Sequence, residues 1–325
     1  MSEPLPTALV LHPDCGRHDT GWGHPEHQGR LPAIVQALYR DTIAMLGNVL
    51  QEEGRHATEA ELLRAHSAGL IASVRTAAES AQDSGEPVRF DTDTVVSEAS
   101  WDAARAAAGC AVHAVGLVMA GRAHTALALC RPPGHHATHD RSMGFCLFNN
   151  VAVAARAAQA EHGVERVLII DWDVHHGNGT QDIFYDDPRV FYLSLHLDGH
   201  YPGTGSATES GAGAGAGSTL NVPLAQGLPA DEYRRLFDDA VAQAFELSQP
   251  ELVLVSAGYD CLDGDPLGGL RLEPRDLHEM TKTVLRHAQD TAGGRVVAVL
   301  EGGYVPPRVG TGVVATLRAL AGLDY

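Results

Sequence analysis

The sequence predicts one α/β domain built on a parallel sheet covered by helices. Two observations carry that prediction. Short apolar runs alternate with segments of helical periodicity, and the runs are continuously apolar, as in strands buried on both faces. No Pro/Ser linker and no internal repeat divides the chain, so residues 1–325 read as a single domain.

The strand candidates are TALVLH from Thr7, TALALC from Thr125, RVLIID from Arg166, VFYLSLH from Val190, LVLVSAG from Leu252 and VVAVLEGG from Val296. Helical periodicity marks Leu31–Tyr39, Glu59–Ala72, Trp101–Met119, Val151–His162, Ala230–Leu247 and Pro274–Ala288. The run GAGAGAG, Gly211–Gly217, formally fits G-x-G-x-x-A, but no strand leads into it and STLNVPL after it reads as a strand. A flexible glycine loop is expected there instead.

Acidic residues outnumber basic ones 41 to 23, a net charge of −18. That field repels phosphates and argues against nucleic-acid partners. It suits a cationic substrate, although acidity also serves solubility alone. The cysteines (Cys15, Cys110, Cys130, Cys146, Cys261) are odd in number, scattered and without a C-x-x-C. They fit a reduced, cytoplasmic protein and argue against disulfides or a cysteine zinc cluster. The opening MSEPLPTALVLHPD has no positive leader or long apolar stretch, so no signal peptide is expected. The most apolar segment, around Ala107–Ala120, is too short and alanine-rich for a membrane span. A homo-oligomer is left open.

Reactive residues cluster where parallel sheets build sites, at the carboxyl ends of strands. TALALC runs into RPPGHH, with His135 and His136; RVLII runs into DWDVHHGNGT, with Asp171, Asp173, His175, His176 and Asn178. LVLVSAG runs into Tyr259 and Asp260, and VVAVL into Glu301 and Tyr304. Asp173 and His175, two apart in extended chain, face the same way and can share one ion. Asp260 adds a third ligand and leaves room for water and substrate, as in catalytic zinc sites. Fe²⁺ or another divalent ion stays open. A hydrogen-bonded turn is the plainer reading of D-x-D-x-H alone; Asp260 and the other strand ends tip the balance to metal. Adjacent imidazoles can divide proton transfer between them. Tyr304, after two glycines, can donate to a developing oxyanion.

Together HPEHQGR, RPPGHHA, GFCLFNN, DWDVHHGNGT, YLSLH, YPGTG, SAGYD, GDPLGG and LEGGY resemble the histone deacetylase superfamily, from about His24 to Tyr304. RPPGHH and Asn178 look more like its class II branch. The resemblance implies an arginase-like three-layer fold with a central eight-stranded parallel sheet. It implies one zinc per chain on Asp173, His175 and Asp260, and His136 as main base and acid with His135 as electrostatic partner. Tyr304 would polarise the carbonyl, and Asp171 and Asn178 would orient the two histidines. It also implies two K⁺ sites: Asp171, Ser194 and backbone oxygens of Asp173, His175 and Leu195; and backbone around Phe184, Asp187 and Val190. Asp93, rather than Asp91, would be a rim carboxylate. Gly144, Phe145 and Tyr201 would wall an acyl-lysine tunnel, with Tyr201 standing where Phe is common.

The implied activity is hydrolysis of N-acyl-lysine amides. A small acylated amine such as an acetylpolyamine is the rival substrate. Leu267 stands where the polyamine-selective branch carries Glu, which favours acyl-lysine. A catalytically silent acyl-lysine binder would lack Tyr304, a histidine or a ligand, and a ureohydrolase would need ligands for two metals.

Overall fold

The structure, a computed structural model, describes residues 5–45 and 47–325. Met1–Pro4 of the opening segment lie outside the described residues.

In chain order the elements are β1 (Thr7–Leu11), α1 (Arg30–Met45), β2 (Val49–Glu53), α2 (Glu59–Leu62), α3 (Ala68–Ser84), β3 (Val88–Arg89), β4 (Val95–Val96), α4 (Ser100–Met119), β5 (Thr125–Ala128), α5 (Asn150–His162), β6 (Val167–Asp171), α6 (Asn178–Phe184), β7 (Val190–Leu197), β8 (Thr219–Leu224), α7 (Ala230–Ser248), β9 (Leu252–Ala257), α8 (Pro274–Thr291), β10 (Val296–Leu300) and α9 (Pro306–Leu320). Eight strands form one sheet in the order β2-β1-β5-β10-β9-β6-β7-β8. Every pairing in it is parallel. Helices α1, α9, α8 and α7 pack in succession, while α4 packs on α3 and α5 and against β1, β5 and β10. The sheet is therefore the middle layer of an α/β sandwich, the arginase-like arrangement.

Burial explains the uniform apolar runs. All residues of β5, β6, β7, β9 and β10 are buried. Only the edge strand β2, VLQEE, keeps an exposed, polar pattern, which hides it from a search for apolar runs.

Several elements differ from the sequence reading. The helix expected over Glu59–Ala72 is two. A capping box between Thr58 and Glu61 starts the short α2. Ser67 then caps α3, its Oγ accepting from Leu70 N–H and its own N–H donating to His139 O at 3.0 Å. Helices α6 and α9 were not anticipated. The second opens on Pro306–Pro307, a favoured helix start.

The glycine run is fixed rather than flexible. Ala212 N–H donates to Tyr185 O and Gly217 N–H to Ser210 O, both at 2.7 Å. A Cβ on Gly215 would stand 2.7 Å from the Asp186 carbonyl carbon, so close backbone approach is what this glycine provides. Among the described residues no helix is long and apolar enough to cross a membrane.

Candidate active site

Strands β5, β10, β9 and β6 are consecutive in the sheet. Their register keeps the ends level, Leu300 beside Ala257 and Asp171 beside Ser256. The four segments read as reactive strand ends therefore leave the sheet side by side, at its centre.

Asp173, His175 and Asp260 come together there, with ligand atoms within 4.8 Å of one another. His175 Nδ1 lies 3.0 Å from Asp173 Oδ1 and 3.2 Å from Asp260 Oδ2. Backbone aims the carboxylates: Val174 N–H donates to Asp260 Oδ1 and Gly302 N–H to Asp173 Oδ2, both at 2.9 Å. His175 has one Nδ1 proton for two carboxylates and gives it to Asp173, so the fully buried Asp260 Oδ2 has no hydrogen-bond donor. An orphaned buried oxygen is costly, and a cation relieves it. Ligand atoms about 3.3 Å apart are also what tetrahedral coordination at about 2.0–2.1 Å requires. Burial, then the Asp173 charge, pushes Asp260 up to about 7. Burial works against a charged His175, but its bonds to Asp173 and Asp260 hold it up at about 10. Two carboxylates crowding one imidazole form a site short of positive charge, and the residues fit a divalent metal ion.

The histidine pair sits beside this group, ring centroids 4.0 Å apart. His135 Nδ1 donates to Asp171 Oδ2 at 3.1 Å, and Tyr192 O–H holds the same oxygen at 3.0 Å. Burial opposes charge on His135, but Asp173 and Asp171 raise it to about 10. His136 Nδ1 instead donates to the neutral Asn178 Oδ1 at 2.8 Å. Burial, then His135 and His175, depress its pKa. His136 is thus a neutral imidazole with a free Nε2 lone pair, while His135 favours the cation, opposite environments that separate proton-transfer roles.

Tyr304 is held by its backbone, its N–H donating to Asp265 Oδ2 at 2.7 Å. Burial and the charges of Asp260 and Asp173 raise its pKa, keeping the phenol a donor. Phe145 meets it edge-on at 5.7 Å. Tyr201 meets the His136 ring edge-to-face at 5.0 Å and is 40% exposed. Gly144 must be glycine: a Cβ would stand 2.5 Å from His136 Cδ2. The Leu267 carbonyl accepts from His200 Nε2, and His200 stacks on His175. Asp91 and Asp93 share one turn. Asp91 Oδ1 accepts Asp93 N–H at 3.1 Å and Thr94 N–H at 2.6 Å, making the turn that presents Asp93. The Asp93 carbonyl takes His24 Nε2–H at 2.8 Å, and His24 packs on Phe145.

Of the residues expected at potassium, Ser194 pairs with Asp171 in register, its Oγ within 2.8 Å of His196 Nδ1. Leu195 follows it, buried in β7. Phe184, Asp187 and Val190 form a separate turn, with Phe184 O and Asp187 O accepting backbone N–H groups. The Asp187 carboxylate is taken by Arg156 and Arg189.

Sequence reasoning assigned no role to four supporting residues. Glu301 Oε2 accepts Gly134 N–H at 2.6 Å and His135 N–H at 3.1 Å, clamping the turn that carries the histidines. Arg30 donates to Gly303 O at 2.6 Å and, with Arg131, grips the buried Glu26. HPEHQGR and RPPGHH thus meet in one ion-pair network behind the site. The opposite charges of Glu26, Arg30 and Arg131 were the available signal.

A buried three-ligand group that fits a metal ion, flanked by a histidine pair and a tyrosine, suits a hydrolytic α/β enzyme. Residues 24–320 match the histone deacetylase domain model. The chain is 39% identical to histone deacetylase 14, chloroplastic, of Arabidopsis thaliana, over 93% of this chain and 74% of that one. It is 38% identical to a histone deacetylase-like amidohydrolase of Pseudomonas aeruginosa, over 92% of this chain and 76% of that one. The crystal structure of the HDA15 HD domain superposes with a TM-score of 0.91 at 37% identity, covering 98% of this chain and 89% of that one. The chain belongs to the histone deacetylase family, and it is a hydrolase of amide bonds.

Proposed function

We propose that this chain is a zinc-dependent deacylase that hydrolyses the side-chain amide of N-acyl-lysine in proteins or peptides. The observation that carries the reading is the meeting of Asp173, His175 and Asp260 with His135, His136 and Tyr304 at one sheet edge. Zinc held by the three ligands would supply Lewis-acid polarisation of the acyl carbonyl and acidification of a water.

The chain's own groups supply the proton traffic. His136, its Nδ1 proton fixed on Asn178, keeps Nε2 free to take a proton from the attacking water. Tyr304 O–H donates to the carbonyl oxygen as charge develops there. His135, its Nδ1–H held by Asp171, stands beside that charge. The proton taken by His136 then passes to the leaving amine. Asp93 at the rim accepts from substrate backbone, while Gly144, Phe145 and Tyr201 exclude water along the acyl-lysine stem. Potassium would sit at Asp171, Ser194 and the backbone oxygens of Asp173, His175 and Leu195, and at the Phe184–Val190 turn. The buried Asp171 carboxylate fits such a cation. Five reduced, buried cysteines support a cytoplasmic setting.

Leu267 favours a peptide over a polyamine, because a leucine cannot bind a distal ammonium. Purified enzyme, stripped with chelator and reloaded with zinc, tests the reading on acyl-lysine peptides and on acetylputrescine. Faster zinc-dependent turnover of the peptides is expected. Faster acetylputrescine turnover would move the substrate to small amines, and no chelator-sensitive carboxylate release from either would overturn the activity.

A further inference from the structure

We infer that His12, Asp14 and His56 form a second divalent-metal site, separate from the one at Asp173, His175 and Asp260. Their ligand atoms lie within 4.8 Å of one another. The sheet brings them together. Leu11 and Glu53 end β1 and β2 in register, and Gly54 N–H donates to Leu11 O at 3.0 Å. His12 and His56 therefore leave the sheet edge side by side, ring centroids 4.7 Å apart. Backbone bonds fix both segments: Cys15 N–H to His12 O at 3.1 Å, and Ala57 N–H to Arg105 O at 2.8 Å.

The two imidazoles converge on one carboxylate oxygen, Asp14 Oδ2. His12 Nδ1 accepts Asp14 N–H at 3.2 Å, so it carries a lone pair, and it faces Asp14 Oδ2 at 3.8 Å. His56 Nε2 approaches the same Oδ2 at 2.8 Å with its proton between them. A metal ion would take that position as His56 moves its proton to Nδ1, freeing the Nε2 lone pair, and as His12 Nδ1 turns its lone pair from Asp14 N–H to the ion. The other carboxylate oxygen, Oδ1, is held by Arg17 at 3.0 Å. The three side chains are 16%, 18% and 30% exposed in sequence order, so an ion can enter from solvent and keep water ligands.

Two imidazoles and one carboxylate suit zinc, cobalt, nickel or ferrous iron rather than calcium or magnesium. Between this group and the active-site ligands lie about four strand spacings, roughly 19 Å along the sheet. Neither site shares a ligand with the other.

Metal-stripped, untagged full-length protein would be dialysed against Co²⁺ and its bound metal counted, with visible absorption recorded. Two ions per chain are expected for the wild type. His56→Ala and Asp14→Asn should each bind one and keep deacylase turnover; Asp173→Ala should also bind one, with the remaining spectrum that of an imidazole-rich site. Asp14→Asn, nearly isosteric, carries the test where His56→Ala does not fold. A single ion in the wild type, or a second ion that survives both His56→Ala and Asp14→Asn, overturns the proposal.

Discussion

His136 and Asn178 are joined by a 2.8 Å bond in which the imidazole gives and the amide takes, whereas the adjacent His135 gives its proton to the carboxylate of Asp171. A neutral partner fixes the tautomer of His136 without raising its basicity. Asn178→Asp should therefore move the acid limb of the kcat/KM profile to higher pH. Asn178→Ala should lower kcat about 10- to 100-fold, in the range of other lost orienting contacts to site histidines. An unchanged profile in the aspartate variant would remove Asn178 from the proton-transfer machinery.

Tyr304→Phe deletes one hydroxyl and keeps the ring between Phe145 and the Arg30 guanidinium. If the phenol donates chiefly in the transition state, kcat falls about 10²- to 10³-fold while KM changes little. Steady-state kinetics beside a bound-metal count separates this from a collapsed site.

Gly302→Ala removes no ligand, yet its Cβ would stand 2.2 Å from Asp260 Oδ2 and 2.7 Å from Asp173 Oδ2. Both carboxylates have to move. Metal affinity at the catalytic site should drop at least as far as on loss of a supporting contact, about 10- to 100-fold. Competition with a zinc indicator measures it, and wild-type affinity would show that the backbone yields instead.

His66 gives an acid-sensitive contribution to stability. Buried, it donates Nδ1–H to Thr138 O at 3.0 Å and accepts Asn149 N–H through Nε2 at 2.8 Å. Burial depresses its pKa from 6.5 to about 4. The unfolded chain therefore binds the extra proton between these values. The stabilisation is complete above pH 6.5 and is lost as pH falls towards 4, by roughly 3 kcal/mol at 1.36 kcal/mol per pKa unit. Urea unfolding at pH 7 and pH 4.5 should show a steeper loss for the wild type than for His66→Gln.

The central strands were legible because β5, β6, β9 and β10 are buried on both faces and so carry unbroken apolar runs, each ending in a reactive residue. The edge strand β2 was not, since half its surroundings are solvent. The helix break near Ser67 depends on a bond to His139, far along the chain, which local periodicity cannot register. Within the site, ligands and histidines stood out by residue type. Arg30 and Asp265 did not, and Glu301 stood out without a role, because all three act through backbone groups of residues distant in sequence.

The order of strands has a further consequence for how the molecule opens. The four strands that deliver the chemistry occupy the middle of the sheet, with β2 and β8 outermost. Fraying starts at edges, where backbone bonds meet water. The amides of β9 and β10 should thus exchange with solvent only on global unfolding, and those of β2 far sooner. Partial opening from either side would then spare catalysis, and a cation clipping β1 to β2 would slow exchange at the β2 edge while leaving the middle untouched.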